Sequence, residues 1–255
     1  RWAIDVKHRG NFGQNWRTTI NYNKVSDPDY VRDLDNSTLS SQRQTALLQL
    51  GQVDYLGEDW QVSLQAQQFQ SLADDITNTY KKLPQLTARW RGDANLAGIK
   101  PIALLQYSDF DTDANRVKGQ RIYGEAGVTY PLNWRWGFLR TTAKYRSVSY
   151  DLENVPTLPS EPDNKPDAQS GVFSVDGGLL FERATTLGGK GMVQTLEPRI
   201  FYLYSQYDEQ TGQPDFDSAE LTFSYQQLFR DTRFSGHDRL DDANQVSVGV
   251  TTRLF

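Results

Sequence analysis

Apolar and polar residues alternate one by one through much of this chain, most cleanly near its end. There Val246, Val248, Val250 and Leu254 fall on one phase, and Gln245, Ser247, Gly249, Thr251 and Arg253 on the other. A period of two is that of a β-strand whose two faces meet different surroundings. A membrane wall and a soluble sandwich both produce it, so the repetition along the rest of the chain carries the decision. About twelve segments repeat it. Trp2, Ile4 and Val6 oppose Asp5, Lys7 and Arg9, and Trp16, Thr18, Ile20 and Tyr22 oppose Arg17, Thr19, Asn21 and Asn23. Trp60, Val62, Leu64 and Ala66 oppose Gln61, Ser63, Gln65 and Gln67. Further strands are read at Thr45–Tyr55, through Leu86, Ala88 and Trp90, at Pro101–Tyr107, and with Ile122, Ala126, Val128 and Tyr130 on one face. Trp134–Tyr150 follows with a phase slip near Phe138 and Leu139, as a bulge would produce. Phe173–Phe181, Val193–Tyr207 and Leu221–Phe229 complete the set before the last strand. The third strand, with Leu47, Leu48 and Leu50 together, has no clear phase.

The connections alternate as well. They are short after the first, third, fifth, seventh and ninth strands, and long and polar after the second, fourth, sixth, eighth and tenth. An up-and-down outer-membrane barrel has short periplasmic turns and long outer loops, whereas a soluble Greek-key sandwich has no reason to sort them. On this reading Gly10–Asn15, Gly92–Gly98 and Pro131–Asn133 are periplasmic turns, and Asp27–Ser41 and Asp151–Ala168 lie outside. The stretch Arg230–Asn244 breaks the rule: parity puts it on the short side, yet it is long and densely charged.

Composition agrees with strands. Only 37% of the 255 residues are hydrophobic, too few for a bundle of membrane helices, and no apolar run approaches the about 20 residues such a helix needs. The mean hydropathy is −0.66. With no cysteine, thiolate metal sites, cysteine nucleophiles and disulfides are excluded for these residues. A net charge of −5 argues against a nucleic-acid partner. No composition shift marks a boundary, so residues 1–255 read as part of a single β-barrel domain.

Chemistry-bearing constellations are few. His237, Asp238, Asp241 and Asp242 could suggest a metal or acid–base cluster, but Arg230, Arg233 and Arg239 lie among them, and a self-paired solvated loop is the favoured reading. Polar-phase carboxylates include Asp5, Glu125, Asp176, Glu182 and Glu197. A glycosidase would need two of them at a defined separation across a substrate, and lumen lining is the favoured role. The expectation is therefore no catalytic, metal or cofactor site. Glu125, Asp176, Glu182, Glu197 and Arg199 are candidates for a polar lumen, and Trp60, Val62, Leu64, Val246, Val248 and Val250 for the lipid face. Trp2, Trp16, Trp60, Trp134, Tyr130 and Tyr204 lie at strand ends, where an interfacial girdle would put them.

The segments FRDTRFSGHDRLDDANQVSVGVTTRLF (Phe229–Phe255), FERATTLGGKGMVQTLEPRIFYLY (Phe181–Tyr204) and WRTTINYNKVSDPDYVRDLDN (Trp16–Asn36) resemble the LptD family of outer-membrane lipopolysaccharide-assembly proteins. The resemblance covers essentially the whole chain, with separated motifs in order. It implies an all-β, antiparallel up-and-down transmembrane β-barrel, about 12 strands here as part of a 26-stranded barrel, in the outer membrane of a Gram-negative bacterium. It implies lipopolysaccharide as cargo, the lipoprotein LptE as lumen plug, a periplasmic bridge protein as upstream partner, outer-membrane lipid around the wall, and no enzyme activity. A passive porin and a soluble carbohydrate-binding β protein are the alternative readings.

Two local expectations follow. Pro198, in the LEPR motif, cannot donate to a ladder and should mark a bulge or break, with Glu197 and Arg199 beside it holding the wall or touching a plug. Strand twelve should run outward, so that Phe255 lies at the outer side and is not the natural end of the barrel. The edges at Trp2–Arg9 and Gln245–Phe255 should then be open to further pairing.

Overall fold

The structure is a computed structural model and describes residues 1–28, 30, 46–72, 80–93, 97–155 and 163–255. The strands are β1 (Ala3–Phe12), β2 (Trp16–Val25), β3 (Ala46–Leu56), β4 (Trp60–Ser71), β5 (Lys81–Arg91) and β6 (Lys100–Asp111). They continue as β7 (Lys118–Trp134), β8 (Gly137–Glu153), β9 (Asp167–Leu179), β10 (Phe181–Leu187), β11 (Lys190–Ser205) and β12 (Ala243–Leu254). Each strand from β1 to β9 neighbours the next in one antiparallel, up-and-down sheet. No helix among the described residues is long and apolar enough to cross a membrane. β1 pairs with β2, and β12 with β11, so each has an edge without a partner among the described residues.

At its other end the sheet departs from expectation. β11 pairs with β9 through Arg199–Ser205 and with β10 through Lys190–Leu196, and the two ladders lie on one register. β9 and β10 are thus halves of one pass, interrupted at Leu180, opposite Glu197 and Pro198. Pro198 has no N–H to give across this ladder, and Leu180 turns its own N–H to the carbonyl of Trp136, 2.8 Å away. The expected break falls in the partner strand, while β11 runs straight through Pro198, paired there with Val250 of β12.

The expected strand Leu221–Phe229 is absent. Residues 206–242 form one long connection from β11 to β12, containing a 3-10 helix, Tyr225–Phe229, and a single isolated bridge, Glu220 to Phe234. The alternation of Leu221, Phe223 and Tyr225 ends at Gln226–Gln227, and the adjacent pair Leu228–Phe229 suits a tight turn better than a strand. Parity changes with it. β12 is the eleventh pass, and Phe255 exchanges backbone hydrogen bonds of 3.0 and 2.9 Å with Val193, close to the Gly188–Gly189 turn. Phe255 therefore lies at the short-turn end, which overturns its expected outer position, and the anomalous connection vanishes because its long stretch now follows an even pass.

Turn positions shift too. Pro131–Asn133 lies inside β7, and the turn is Arg135–Trp136, beside which Trp134 and Trp136 stack with ring centres 5.0 Å apart. The first turn is Gly13–Asn15. β6 and β7 extend so far that their connection, 112–117, is no longer than 92–99 between β5 and β6, so the short–long alternation rests on the other connections. Most of Asp27–Ser41 and parts of Gly92–Gly98 and Asp151–Ala168 lie outside the described residues.

The strands divide into two compact units. In the first, Arg1–Trp90 with Leu104–Tyr123 and Ser149–Pro166, register separates two chemistries. Val53 opposes Leu64 and Leu64 opposes Leu86, while Trp60 opposes Trp90 and Trp16 opposes Tyr55, which makes one apolar face. This gives the third strand its phase, with Leu48 and Leu50 on the other side. That side carries Gln52, Ser63, Gln65, Gln85 and Thr87, cross-linked by hydrogen bonds from Ser108 to Gln85 (3.1 Å), Gln106 to Thr87 (3.1 Å) and Arg121 to Gln106 (2.9 Å). In the second unit, Arg91–Ala103 with Gly124–Val148 and Asp167–Phe255, Val246 faces Tyr202, Val248 faces Ile200 and Val250 faces Pro198. Val248 is 66% exposed.

The β11–β12 pairing is directly testable in a chain without native cysteine. Directly opposed antiparallel residues lie about 4.5–5.5 Å apart at Cα, within disulfide reach. Oxidation of a Tyr202→Cys/Val246→Cys double variant should give an intramolecular disulfide, seen as a faster-migrating band. A band from Leu228→Cys/Val246→Cys instead would restore the strand at Leu221–Phe229.

Candidate functional site

The polar face of the second unit is not left bare. Opposite Asp176 of β9, β11 presents Phe201 on the same phase as Arg199, and Leu203 follows two residues later. Apolar residues on a polar phase need a cover, and the 206–242 connection supplies it. Phe229 packs with Val172, Phe201 and Leu203 into a buried cluster, and Leu228 and Ala243 join its edge. Gly249 of β12 makes room beneath. A Cβ there would come within 2.7 Å of Tyr225 Cε2 and 2.8 Å of Phe229 Cζ, so the residue needed at this strand position is glycine.

Charged side chains of the wall fasten the connection at two places. Arg146 of β8, buried, donates to Ser205 Oγ at 2.8 Å and to the carbonyls of Asp231 and Asp241 at 3.4 Å. Beside it Lys144 bridges Glu125 of β7 at 2.8 Å and Asp231 of the connection at 2.6 Å. Further along, Arg199 grips both oxygens of Asp176 at 2.7 Å and lies over the Phe229 ring, 4.2 Å from its centre. A guanidinium can do both because its fork lies in plane while its face stacks.

Inside the connection two buried aspartates organise the backbone. One carboxylate oxygen of Asp238 accepts from the N–H groups of Phe216, Asp217 and Ser218 at 2.9, 2.8 and 3.2 Å. Asp241 accepts from the Arg233 backbone N–H at 2.8 Å and from its guanidinium at 2.7 and 2.9 Å. Burial pushes the Asp231 carboxyl up, but Lys144 and then Arg146 outweigh it and hold it below its ordinary value.

Of the candidates read from sequence, Glu125, Asp176 and Arg199 are gathered into this anchoring system. Glu197 stands apart, accepting from Thr195 and Arg253, both at 2.9 Å. Glu182 is exposed opposite Thr195. Trp60, Val62 and Leu64 share the apolar face of the first unit, and Val246, Val248 and Val250 that of the second. Asp241 pairs with Arg233 of the same loop, as the self-paired reading expected, but Asp238 and Asp241 are buried rather than solvated, and Asp238 is held by backbone N–H groups. Arg146, Asp231, Phe229 and Gly249 were missed. Phe201 and Leu203 on a polar phase, and a glycine mid-strand at 249, were the available signals.

The chain matches, over residues 1–255, the family described as LPS transport system D. Among relatives, an LPS-assembly protein LptD of Alkalilimnicola ehrlichii is 37% identical over 257 residues, covering 100% of this chain and 34% of that protein. The LptD of Pseudomonas syringae pv. syringae is 35% identical, covering 99% and 30%, and that of Hahella chejuensis is 36% identical, covering 100% and 32%. The chain thus spans about a third of the length of these relatives.

Arg146→Leu strips three acceptors of a buried charged donor, which should weaken anchoring by about 2 to 3 kcal/mol. Limited proteolysis of the folded protein should then cut within 206–242 and leave the strands intact. Unchanged cleavage would remove Arg146 from the anchor. The Asp231–Lys144 contact should also be acid-sensitive. A depressed folded-state pKa means its contribution is complete above the unfolded carboxylate value of about 3.9 and fades as pH falls through the lower folded value. Protection of this connection from proteolysis or hydrogen exchange should hold from neutral pH to about 4 and fail below it. Loss already near pH 6 would point to a different group.

Proposed function

We propose, starting from the fact that this chain belongs to the LptD family, LPS transport system D, that it is part of the wall through which lipopolysaccharide reaches the outer leaflet. In this reading residues 1–255 belong to a single β-barrel domain in the outer membrane of a Gram-negative bacterium. The observation that carries it is the two-faced sheet. In the first unit Val53, Leu64 and Leu86 share one face and Gln65 and Gln85 the other. In the second, Ile200 and Val248 share one face and Asp176, Phe201 and Arg199 the other. Lipid suits the apolar face of each, since within hydrocarbon a strand must pair every backbone polar group with a neighbour and present apolar side chains. The polar face suits water and sugar. Acyl chains would leave into the membrane while the saccharide crosses a polar lumen, and no bond is made or broken by this protein. The partners that fit are lipopolysaccharide itself, the lipoprotein LptE as lumen plug, a periplasmic bridge protein delivering the cargo, and surrounding outer-membrane lipid.

Depletion of the full-length parent protein in growing cells tests this. Newly made lipopolysaccharide, followed by pulse labelling, should fail to become accessible to surface reagents. Normal surface delivery, with only the uptake of small solutes reduced, would identify a porin instead.

A further inference from the structure

Beneath the folded connection, towards the short-turn end, the polar face of the second unit holds a hollow of about 300 Å³. Its floor lies where β9 gives way to β10, at Gly178, Leu179 and Leu180 opposite Glu197 and Pro198. The ladder between β11 and this pass is interrupted here, between Leu196 and Arg199. Phe138 and Tyr225 supply two aromatic rings, one from β8 and one from the 3-10 helix. Phe138 is pressed over Gly178 so closely that a Cβ on that glycine would meet its Cε1 at 2.5 Å, so the ring's place is fixed by the wall. Tyr225 is held by the hydrogen bond between its hydroxyl and Thr251 Oγ1, 3.2 Å.

Polar groups complete the lining. Arg253 gives one N–H to Glu197 Oε1 at 2.9 Å, and Thr195 gives its hydroxyl to the same oxygen. Among the described residues that leaves Glu197 Oε2 as an acceptor, and the remaining N–H groups of Arg253 as donors, without a protein partner. The Arg253 side chain is 56% exposed and that of Glu197 25%, so both are reachable. Their charges cancel, as do those of Arg199 and Asp176 on the adjoining wall. A neutral hollow that offers donors, an acceptor and two aromatic faces does not select an ion. It fits a ring with an apolar face and a rim of hydroxyls, and its volume sits at the small-molecule end of ligand pockets, about 300–1,000 Å³.

We propose that this hollow binds one sugar ring of a saccharide chain, stacked against Phe138 or Tyr225 and hydrogen-bonded by Glu197 and Arg253. This rests on the reading of the polar face as a saccharide path, and makes the hollow a resting point on that path below the connection.

The test uses the full-length protein in living cells that make lipopolysaccharide. A photoreactive amino acid replaces Thr251 in the hollow or, as a control, Gln65 on the polar face of the first unit. Irradiation should give a lipopolysaccharide adduct at Thr251, and Glu197→Gln with Arg253→Leu should lower its yield about tenfold, as expected for loss of hydrogen bonds to charged groups. An adduct at Gln65 alone would overturn the hollow and leave the path standing. No lipopolysaccharide adduct at either position would overturn both. Adducts at Thr251 with a protein alone would assign the hollow to a partner chain and reject the sugar.

Discussion

A β-strand sends alternate side chains to opposite faces, and this molecule depends on keeping those two faces chemically different. The difference is not carried by any one strand. It is carried by register, which places Val53 beside Leu64 and Leu64 beside Leu86, and Gln52 beside Gln65 and Gln65 beside Gln85. A slip of one residue would exchange the faces of a whole strand. The antiparallel ladders therefore do more than satisfy backbone groups, since each fixes on which side its neighbour's alternation falls. The same logic reaches β12, whose valines oppose Tyr202, Ile200 and Pro198, while its glycine opposes Arg199.

Where the polar face carries apolar side chains, the structure resolves the conflict locally. Phe201 and Leu203 are covered by Phe229, and the connection that brings Phe229 is fastened by Arg146, Lys144 and Arg199. These charges are affordable in a buried setting because each has several partners: Arg146 has a hydroxyl and two carbonyls, Lys144 two carboxylates, and Arg199 a bidentate carboxylate and a ring. The long connection is thus built onto the wall, and its own turns are held by Asp238 and Asp241 together with buried Phe216 and Leu240.

The sequence made most of the strands legible because their periodicity is local, and the match of Trp60, Val62 and Leu64 to Trp90, Ala88 and Leu86 needs no long-range knowledge beyond pairing with a neighbour. Errors arose where tertiary context overrode a local signal. Leu221, Phe223 and Tyr225 alternate like a strand, yet the pull of Phe229 into a cluster on distant β9 and β11 makes the segment a turn. Pro131 and Asn133 look like turn residues, yet β7 continues past them to Trp134. Pro198 was read correctly as a disruption, but the break fell on Leu180 across the ladder, which no inspection of the LEPR motif alone could assign. Of the anchoring system, the residue types were visible and their convergence was not, because Arg146, Asp231 and Asp241 are separated by up to 95 positions.

The two-faced wall is tested most directly by scanning single spin labels along β12, from Gln245 to Leu254 with Gly249 left unlabelled, in the full-length protein embedded in bilayers. Collision with oxygen, which concentrates in hydrocarbon, should alternate with a period of two, high at Val246, Val248 and Val250 and low at Ser247 and Thr251. Uniform accessibility to a water-soluble relaxant along the strand, or an alternation with the opposite phase, would contradict the account.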